Sequence, residues 1–166
     1  MSFIAVIRGI VTTRPEPKPP THRVEIGVVA GGAGFAAELI PGVDRKLIVH
    51  AVYFSKPSAA VTLRLLKNSS PSSGGTSTNG AVTPLDSGFS SRATCKLFTA
   101  APTAGTQVGS DLFEGVIQTT EVLYEEFGQN GQNLLVLRGA NETLAVNVSA
   151  AATIVGYIEF SEEALP

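Results

Sequence analysis

The chain has 166 residues with a formal net charge of −2, and only 16% of its residues are charged whereas 43% are hydrophobic. This length suits one domain with its own core, and the charge balance excludes the clustered lysines and arginines that bind nucleic acid or anionic lipid. With 17 glycines, 10 prolines and few charges, the composition favours an all-β protein with a neutral surface of small polar residues.

Residues 1–13 contain a strand-like apolar stretch, which a proline-rich segment at residues 14–20 separates from the rest of the chain. Proline-rich segments are extended and stiff. We therefore predict an N-terminal arm with its linker over residues 1–23 and a β-sandwich domain over residues 24–166. The alternative is a first strand followed by an ordinary linker. The arm residues predicted to contact a partner are Phe3, Ile4, Val6, Ile7, Arg8, Ile10 and Val11.

The N-terminal sequence lacks the basic start and the long apolar core of a signal peptide. No apolar run approaches the length of about 18 residues that a membrane-spanning helix needs. We therefore predict that the protein is made in the cytoplasm and does not contact a membrane.

Residues 32–37 match the G-x-G-x-x-A pattern of a dinucleotide-binding turn and follow a strand-like segment. That fingerprint requires a helix of about a dozen residues next, whereas Pro41 and Gly42 would end a helix after about two turns. No strand-helix-strand rhythm follows. We predict a glycine-rich bulge or turn between two strands, and no bound cofactor.

Residues 47–66 predict two strands joined by a short turn at Pro57, since proline has no N–H group for a strand ladder. The first half is apolar on both faces, which is typical of a strand inside a sheet. In the second half Val61, Leu63 and Leu65 alternate with polar residues, as in a half-buried strand. We predict that this hairpin is the centre of the fold.

Residues 68–80 contain no large apolar side chain, and we predict a surface loop there, either a tolerated insertion or a recognition loop. Residues 81–86 form a short extended piece. The remaining predicted strands are residues 92–99, 111–127, 134–138, 144–149 and 153–160. The segment 111–127 also allows a helix, but its β-branched residues favour a strand. About eight strands at regular spacing predict an antiparallel sandwich or barrel.

Side chains able to support catalysis are few. The two histidines, His22 and His50, have no metal-ligand spacing, and we predict that His22 is solvated and that His50 lies in a core or interface. Cys95 is predicted to be a buried, inert thiol. Glutamates cluster in residues 121–126 and 159–163, where we predict acidic strand faces in solvent. The sequence therefore predicts no catalytic site, no metal site and no enzyme.

Three segments carry a family resemblance: residues 44–66, 84–106 and 134–163. They contain the motifs VTLR, PLDS, TAAPT-GT, L-LR-G--LAVNV and IEF-EE. In this order the motifs resemble small jelly-roll structural proteins of tailed bacteriophages, over roughly residues 43–163. That group includes capsid decoration proteins, also called cement proteins, which are often trimeric.

The resemblance implies a jelly-roll-like antiparallel β-sandwich with an extended N-terminal arm. It also implies a capsid decoration protein that binds the major capsid protein on the outer surface of the virion. Such a protein bridges capsomers, stabilises the head and forms a homo-oligomer, with a trimer favoured. The alternative is a carbohydrate-binding jelly-roll module of a phage tail or receptor-binding apparatus, although the chain has no tryptophan for a sugar-binding platform.

Overall fold

The computed structural model describes residues 19–128 and 134–166, and within them the chain forms twelve β-strands, all paired antiparallel, and no helix. The strands are β1 (His22–Ala30), β2 (Gly34–Ile40), β3 (Arg45–Phe54), β4 (Val61–Asn68), β5 (Thr76–Gly80), β6 (Val82–Pro84), β7 (Thr94–Ala100), β8 (Phe113–Ile117), β9 (Leu123–Glu126), β10 (Leu135–Arg138), β11 (Thr143–Val148) and β12 (Ala152–Ala164). The described residues therefore contain no helix that could cross a bilayer. The predicted antiparallel β-sandwich is confirmed, and the expected number of strands is wrong.

The strands form two sheets of six. Sheet A has the order β10-β3-β12-β1-β6, with β9 also paired to β3, and sheet B has the order β5-β7-β2-β11-β4-β8. Apolar side chains from both sheets fill the space between them. Along β1, buried Val24, Ile26 and Val28 alternate with exposed Glu25 and exposed glycine or valine, as the pleat of a strand requires.

The predicted hairpin over residues 47–66 is wrong, because β3 belongs to sheet A and β4 to sheet B. The connection at Pro57 crosses from one sheet to the other. Both strands then bury their apolar faces in the shared core, so the hydrophobic pattern alone does not distinguish a crossing from a hairpin. The interior position of β3 is confirmed, since β12 lies on one side of it and β9 and β10 share the other.

The glycine-rich turn predicted within residues 32–37 is confirmed. It joins β1 of sheet A to β2 of sheet B, and Gly34 has a φ of 134°, a conformation that favours glycine. The strand prediction for residues 111–127 is also confirmed. That segment, however, supplies β8 to sheet B and β9 to sheet A, with an exposed turn between them.

Residues 69–112 form an insertion that widens both sheets. Strand β7 pairs with β2, β5 pairs with β7, and β6 pairs with β1. The loop predicted over residues 68–80 is therefore partly wrong, since β5 is an edge strand. Its side chains are polar and mostly exposed, so the strand is held by backbone hydrogen bonds. Its sequence has no apolar alternation from which a strand could be predicted.

The insertion also covers the outer face of sheet B. Residues 69–75 and 101–107, which we call the flap, are joined by hydrogen bonds between the backbones of Ser73 and Thr103, with N···O distances of 3.0 and 2.8 Å. Beneath the flap lies a second buried apolar cluster, formed by Phe35, Leu66, Phe98 and Ala145. The outer face of sheet B is thus closed to solvent at its centre.

The flap is anchored by Glu38, a fully buried carboxylate on the outer face of sheet B. Its Oε1 accepts a hydrogen bond from the Thr143 hydroxyl at 2.8 Å, and its Oε2 accepts one from the Ser72 hydroxyl at 2.5 Å. The Ser72 backbone N–H also donates to the carboxylate, at 3.1 Å. Buried polar groups need such partners, so Glu38 ties the flap to the sheet.

The prediction that His22 is solvated is wrong, because only 1% of the residue is exposed. It begins β1, so the last residues of the predicted arm and linker already belong to sheet A. The ring stacks on Phe160 at a centroid distance of 5.4 Å and meets the edge of Phe89 at 6.4 Å. Burial lowers the pKa of His22, while Glu162 opposes that shift.

We expect the protein to lose stability as the pH falls below about 6.5. Burial lowers the pKa of both His22 and His50 from 6.5 in the folded protein. Between the lowered pKa and 6.5, the unfolded chain therefore binds more protons than the folded one. Unfolding midpoints in urea should therefore drop between pH 7 and pH 5. The double variant His22→Phe/His50→Gln should have a shallower slope, and an unchanged slope would contradict this expectation.

The prediction for Cys95 is confirmed: it is buried in β7, and burial raises the pKa of its thiol to about 12. A thiol with such a pKa carries almost no thiolate at neutral pH. It is therefore an apolar core side chain.

Candidate binding surface on sheet A

The outer face of sheet A carries the three tyrosines of the chain in one row. Tyr53 on β3 pairs with Tyr124 on β9 and with Tyr157 on β12, and Tyr157 pairs in turn with Glu25 on β1. Glu25, Tyr53 and Tyr157 alternate along their strands with buried residues, and Tyr124 follows buried Leu123. The row therefore crosses four adjacent strands on the solvent side, and we call it the tyrosine row.

Two tyrosines of the row stack on each other. The rings of Tyr53 and Tyr157 have centroids 5.0 Å apart and planes inclined by 20°. The guanidinium carbon of Arg23 lies 4.1 Å from the centroid of the Tyr157 ring, a distance suited to a cation–π contact. Arg23 also donates to Glu159 at 2.5 Å, and this hydrogen bond raises the pKa of Arg23.

Because the stacking distance is close to the spacing of neighbouring strands, these rings stand upright on the sheet. Each ring covers one face of the other, and Arg23 lies on the Tyr157 ring. Tyr124 at the end of the row is 53% exposed, and its hydroxyl donates to Glu126 at 2.8 Å. That hydrogen bond is the main reason why the pKa of Tyr124 is raised to about 12.

A low ledge runs beside the tyrosine row. It is formed by the next outward positions of β1 and β12, where Gly27 pairs with Val155. A Cβ atom built at Gly27 would meet nothing within 4 Å, and Val155 and Val29 are 48% and 62% exposed. The upright rings and this apolar ledge together make a step across the sheet. Unlike sheet B, this part of sheet A has no covering segment among the described residues.

The charge around the row is mainly acidic. Glu25 and Glu126 are exposed, and Glu159 lies on the same face. Arg23 lies on this face and is already paired with Glu159. The surface therefore combines aromatic edges and apolar ledge with excess negative charge, which favours a cationic partner.

His50 and Ser161 are adjacent on sheet A, with Nε2 and Oγ 2.9 Å apart. This is the spacing of a nucleophile and its base. Ser161 is only 2% exposed, however, so a substrate cannot approach its hydroxyl. The hydrogen bond gives the buried Ser161 hydroxyl and the half-buried His50 ring a polar partner. An interface position for His50 stays a prediction.

The prediction of solvated acidic faces is wrong for Glu162, whose side chain is only 4% exposed. Its carboxylate accepts hydrogen bonds from the Ser91 hydroxyl at 2.5 Å and from the Arg92 backbone N–H at 3.1 Å. Arg45 lies 3.5 Å away. Glu162 thus fastens the end of the insertion to sheet A, whereas Glu121 and Glu126 are exposed as predicted.

The predicted partner-binding residues of the arm, from Phe3 to Val11, lie outside the described residues. Among residues 19–128 and 134–166, no group of three or more histidine, cysteine, aspartate or glutamate side chains is arranged to hold a metal ion. The tyrosine row was not predicted, because register between strands decides which residues become neighbours. The outward positions of Tyr53, Tyr124 and Tyr157 were the available signal.

Comparisons of the chain with protein-family models, with curated proteins and with solved structures found no match.

Proposed function

We propose that the protein is a jelly-roll structural component of a virion, and specifically a capsid decoration protein. The observation that carries this proposal is the strand order. When the inserted β5, β6 and β7 are set aside and β9 and β10 are taken as one edge, the two sheets have the orders β1-β12-β3-β9/β10 and β2-β11-β4-β8. This order supports a jelly roll, the double-sheet architecture of viral capsid and lectin domains.

Because a fold alone does not define a function, the role is proposed from the surface and the sequence together. Residues 44–66, 84–106 and 134–163 resemble the phage structural proteins described above. Aromatic and arginine side chains, as in the tyrosine row with Arg23, are enriched in protein interfaces. The proposed partners are the major capsid protein and further copies of this chain, with a trimer favoured, at the capsid surface.

The N-terminal arm is the proposed attachment device, since an extended apolar segment adds readily to an open sheet edge. We expect deletion of residues 1–20 to leave the domain folded, because β1 begins at His22, and to abolish co-sedimentation with capsids built from the major capsid protein. A variant with residues 2–13 in scrambled order is the matched control for chain length and should also fail to bind. Unchanged binding of the deletion variant would contradict the role of the arm.

The alternative is a carbohydrate-binding module, which the exposed tyrosines favour. Sugar platforms use open ring faces, however, whereas Tyr53 and Tyr157 cover one face of each other and Arg23 lies on the Tyr157 ring. Of the three tyrosines, only Tyr124 is more than half exposed. The geometry therefore supports a protein partner better than a glycan. Specific binding on a glycan array that is lost in Tyr124→Ala would reverse this preference.

A further inference from the structure

We propose that the tyrosine row and its ledge bind the proline-rich segment, residues 14–20, of a second copy of this chain. The binding mode rests on the proposed function, because it supposes that the arm leaves its own domain to join a neighbour. It adds the surface that receives the linker and the chemistry of that contact.

The chemistry of the segment matches the surface. Residues 14–20 have the sequence RPEPKPP, in which Pro17 and Pro20 have P-x-x-P spacing. Such segments favour a polyproline II helix, and proteins recognise this helix with exposed aromatic side chains that pack against proline rings. Ligands that favour this helix before they bind lose little conformational entropy on binding.

The shape of the surface suits this ligand. Upright rings of Tyr53 and Tyr157 form a ridge, and the notch at Gly27 lies beside it at the level of the sheet. A proline ring fits in the step between ridge and ledge, where it contacts ring edges and Val155.

Complementary charges on the segment and on the surface set the direction in which the segment binds. The segment carries Arg14 and Lys18 against one glutamate, Glu16. The surface carries negative charge at two exposed glutamates. Glu25 is the β1 end of the tyrosine row, and Glu126 lies on β9 in the neighbouring row, opposite Ala51. Exposed ion pairs contribute little affinity each, but they select partner and direction.

The position of Thr21, where the segment joins the domain, indicates that the bound segment comes from a second copy of the chain. Thr21 is held within sheet A: its N–H donates to the Phe160 carbonyl at 3.1 Å, and its carbonyl accepts from Leu85 at 2.8 Å. A polyproline II segment of seven residues is about 20 Å long. A return to the row of its own domain would require this segment to bend back on itself, which the stiffness of proline-rich segments disfavours.

The test compares oligomer mass for full-length variants by light scattering after size exclusion. The face variant is Tyr53→Ser/Tyr124→Ser, the segment variant is Pro17→Ser/Pro20→Ser, and the control is Val116→Ser, an exposed apolar position on sheet B. We expect an oligomer for the wild type and the control, and a monomer for the face and segment variants. An equal mixture of these two variants should form a heterodimer, since it retains one intact face and one intact segment.

A further variant tests the same contact with substitutions that are not expected to affect folding. Glu25→Lys/Glu126→Lys changes only exposed side chains and should raise the dissociation constant about tenfold or more. A monomeric wild type at about 100 μM, or an oligomer that persists in both the face and segment variants, would overturn the proposal. Capsid co-sedimentation separates this contact from the proposed function. If the protein binds capsids but the variants do not change the oligomer mass, the contact alone is refuted. If the variants change the oligomer mass but the protein does not bind capsids, the proposed function alone is refuted.

Discussion

The Gly156→Val substitution is expected to lower the free energy of unfolding by about 3 kcal/mol, and the melting temperature by about 10 °C. Gly156 is buried in β12, where it pairs with Phe54 on β3 and with Ile26 on β1. A Cβ atom there would overlap the carbonyl oxygen of Tyr53 and crowd the Phe54 ring and backbone. Backbone cannot move aside without separating β12 from β3, the central pair of sheet A.

The matched control for this change is Gly27→Val. Gly27 lies on β1 in the same sheet, but a Cβ atom there meets nothing within 4 Å, and valine favours a strand. We expect its free energy of unfolding, measured in urea, to stay within about 0.5 kcal/mol of the wild-type value. Equal midpoints for the two variants would contradict the close approach of β12 and β3.

The second large effect is expected for Glu38→Ala, which removes the acceptor beneath the flap. The Thr143 hydroxyl and the Ser72 hydroxyl and N–H then lose their partner. Each buried donor left unpaired costs about 1–3 kcal/mol, and we expect a total loss of about 3 kcal/mol in urea unfolding. Because the anchor is local, amide hydrogen exchange within residues 69–75 and 101–107 should accelerate more than exchange in β3 or β12.

Glu121→Ala is the control for charge removal. Glu121 is exposed and accepts one hydrogen bond, from the backbone N–H of Gln118 at 2.9 Å, so its loss should change stability by about 0.5 kcal/mol or less. If Glu38→Ala were as stable as Glu121→Ala, or if exchange rose evenly across the domain, Glu38 would not be the anchor of the flap.

Local alternation predicted most of the strands correctly. In β11 and β12, the alternating residues Leu144, Val146, Ile154, Ile158 and Phe160 are all buried in the core. The weakly patterned β5 was missed, and β6 was predicted only as a short extended piece over residues 81–86. Both strands are held by backbone hydrogen bonds at sheet edges, where side chains carry little information.

The residues predicted as a binding site all precede the described part of the chain, and the surface of sheet A was not anticipated. Tyr53, Tyr124 and Tyr157 lie far apart in sequence, and only the register of β9, β3 and β12 makes them neighbours. The same is true of Glu38 and Ser72, which meet because the flap folds across sheet B. Sequence patterns contain no information on such long-range pairing.

The sequence by itself determined the all-β class, the antiparallel sandwich, the buried thiol of Cys95 and the turn at residues 32–37, because each depends on local periodicity or on glycine and proline geometry. Only the tertiary structure decided that β3 and β4 lie in opposite sheets, that His22 and Glu38 are buried, and that the tyrosines form one row. A strand's alternation specifies which face is apolar. Its partner is chosen by the packing of the whole chain, in which many pairings bury the same faces.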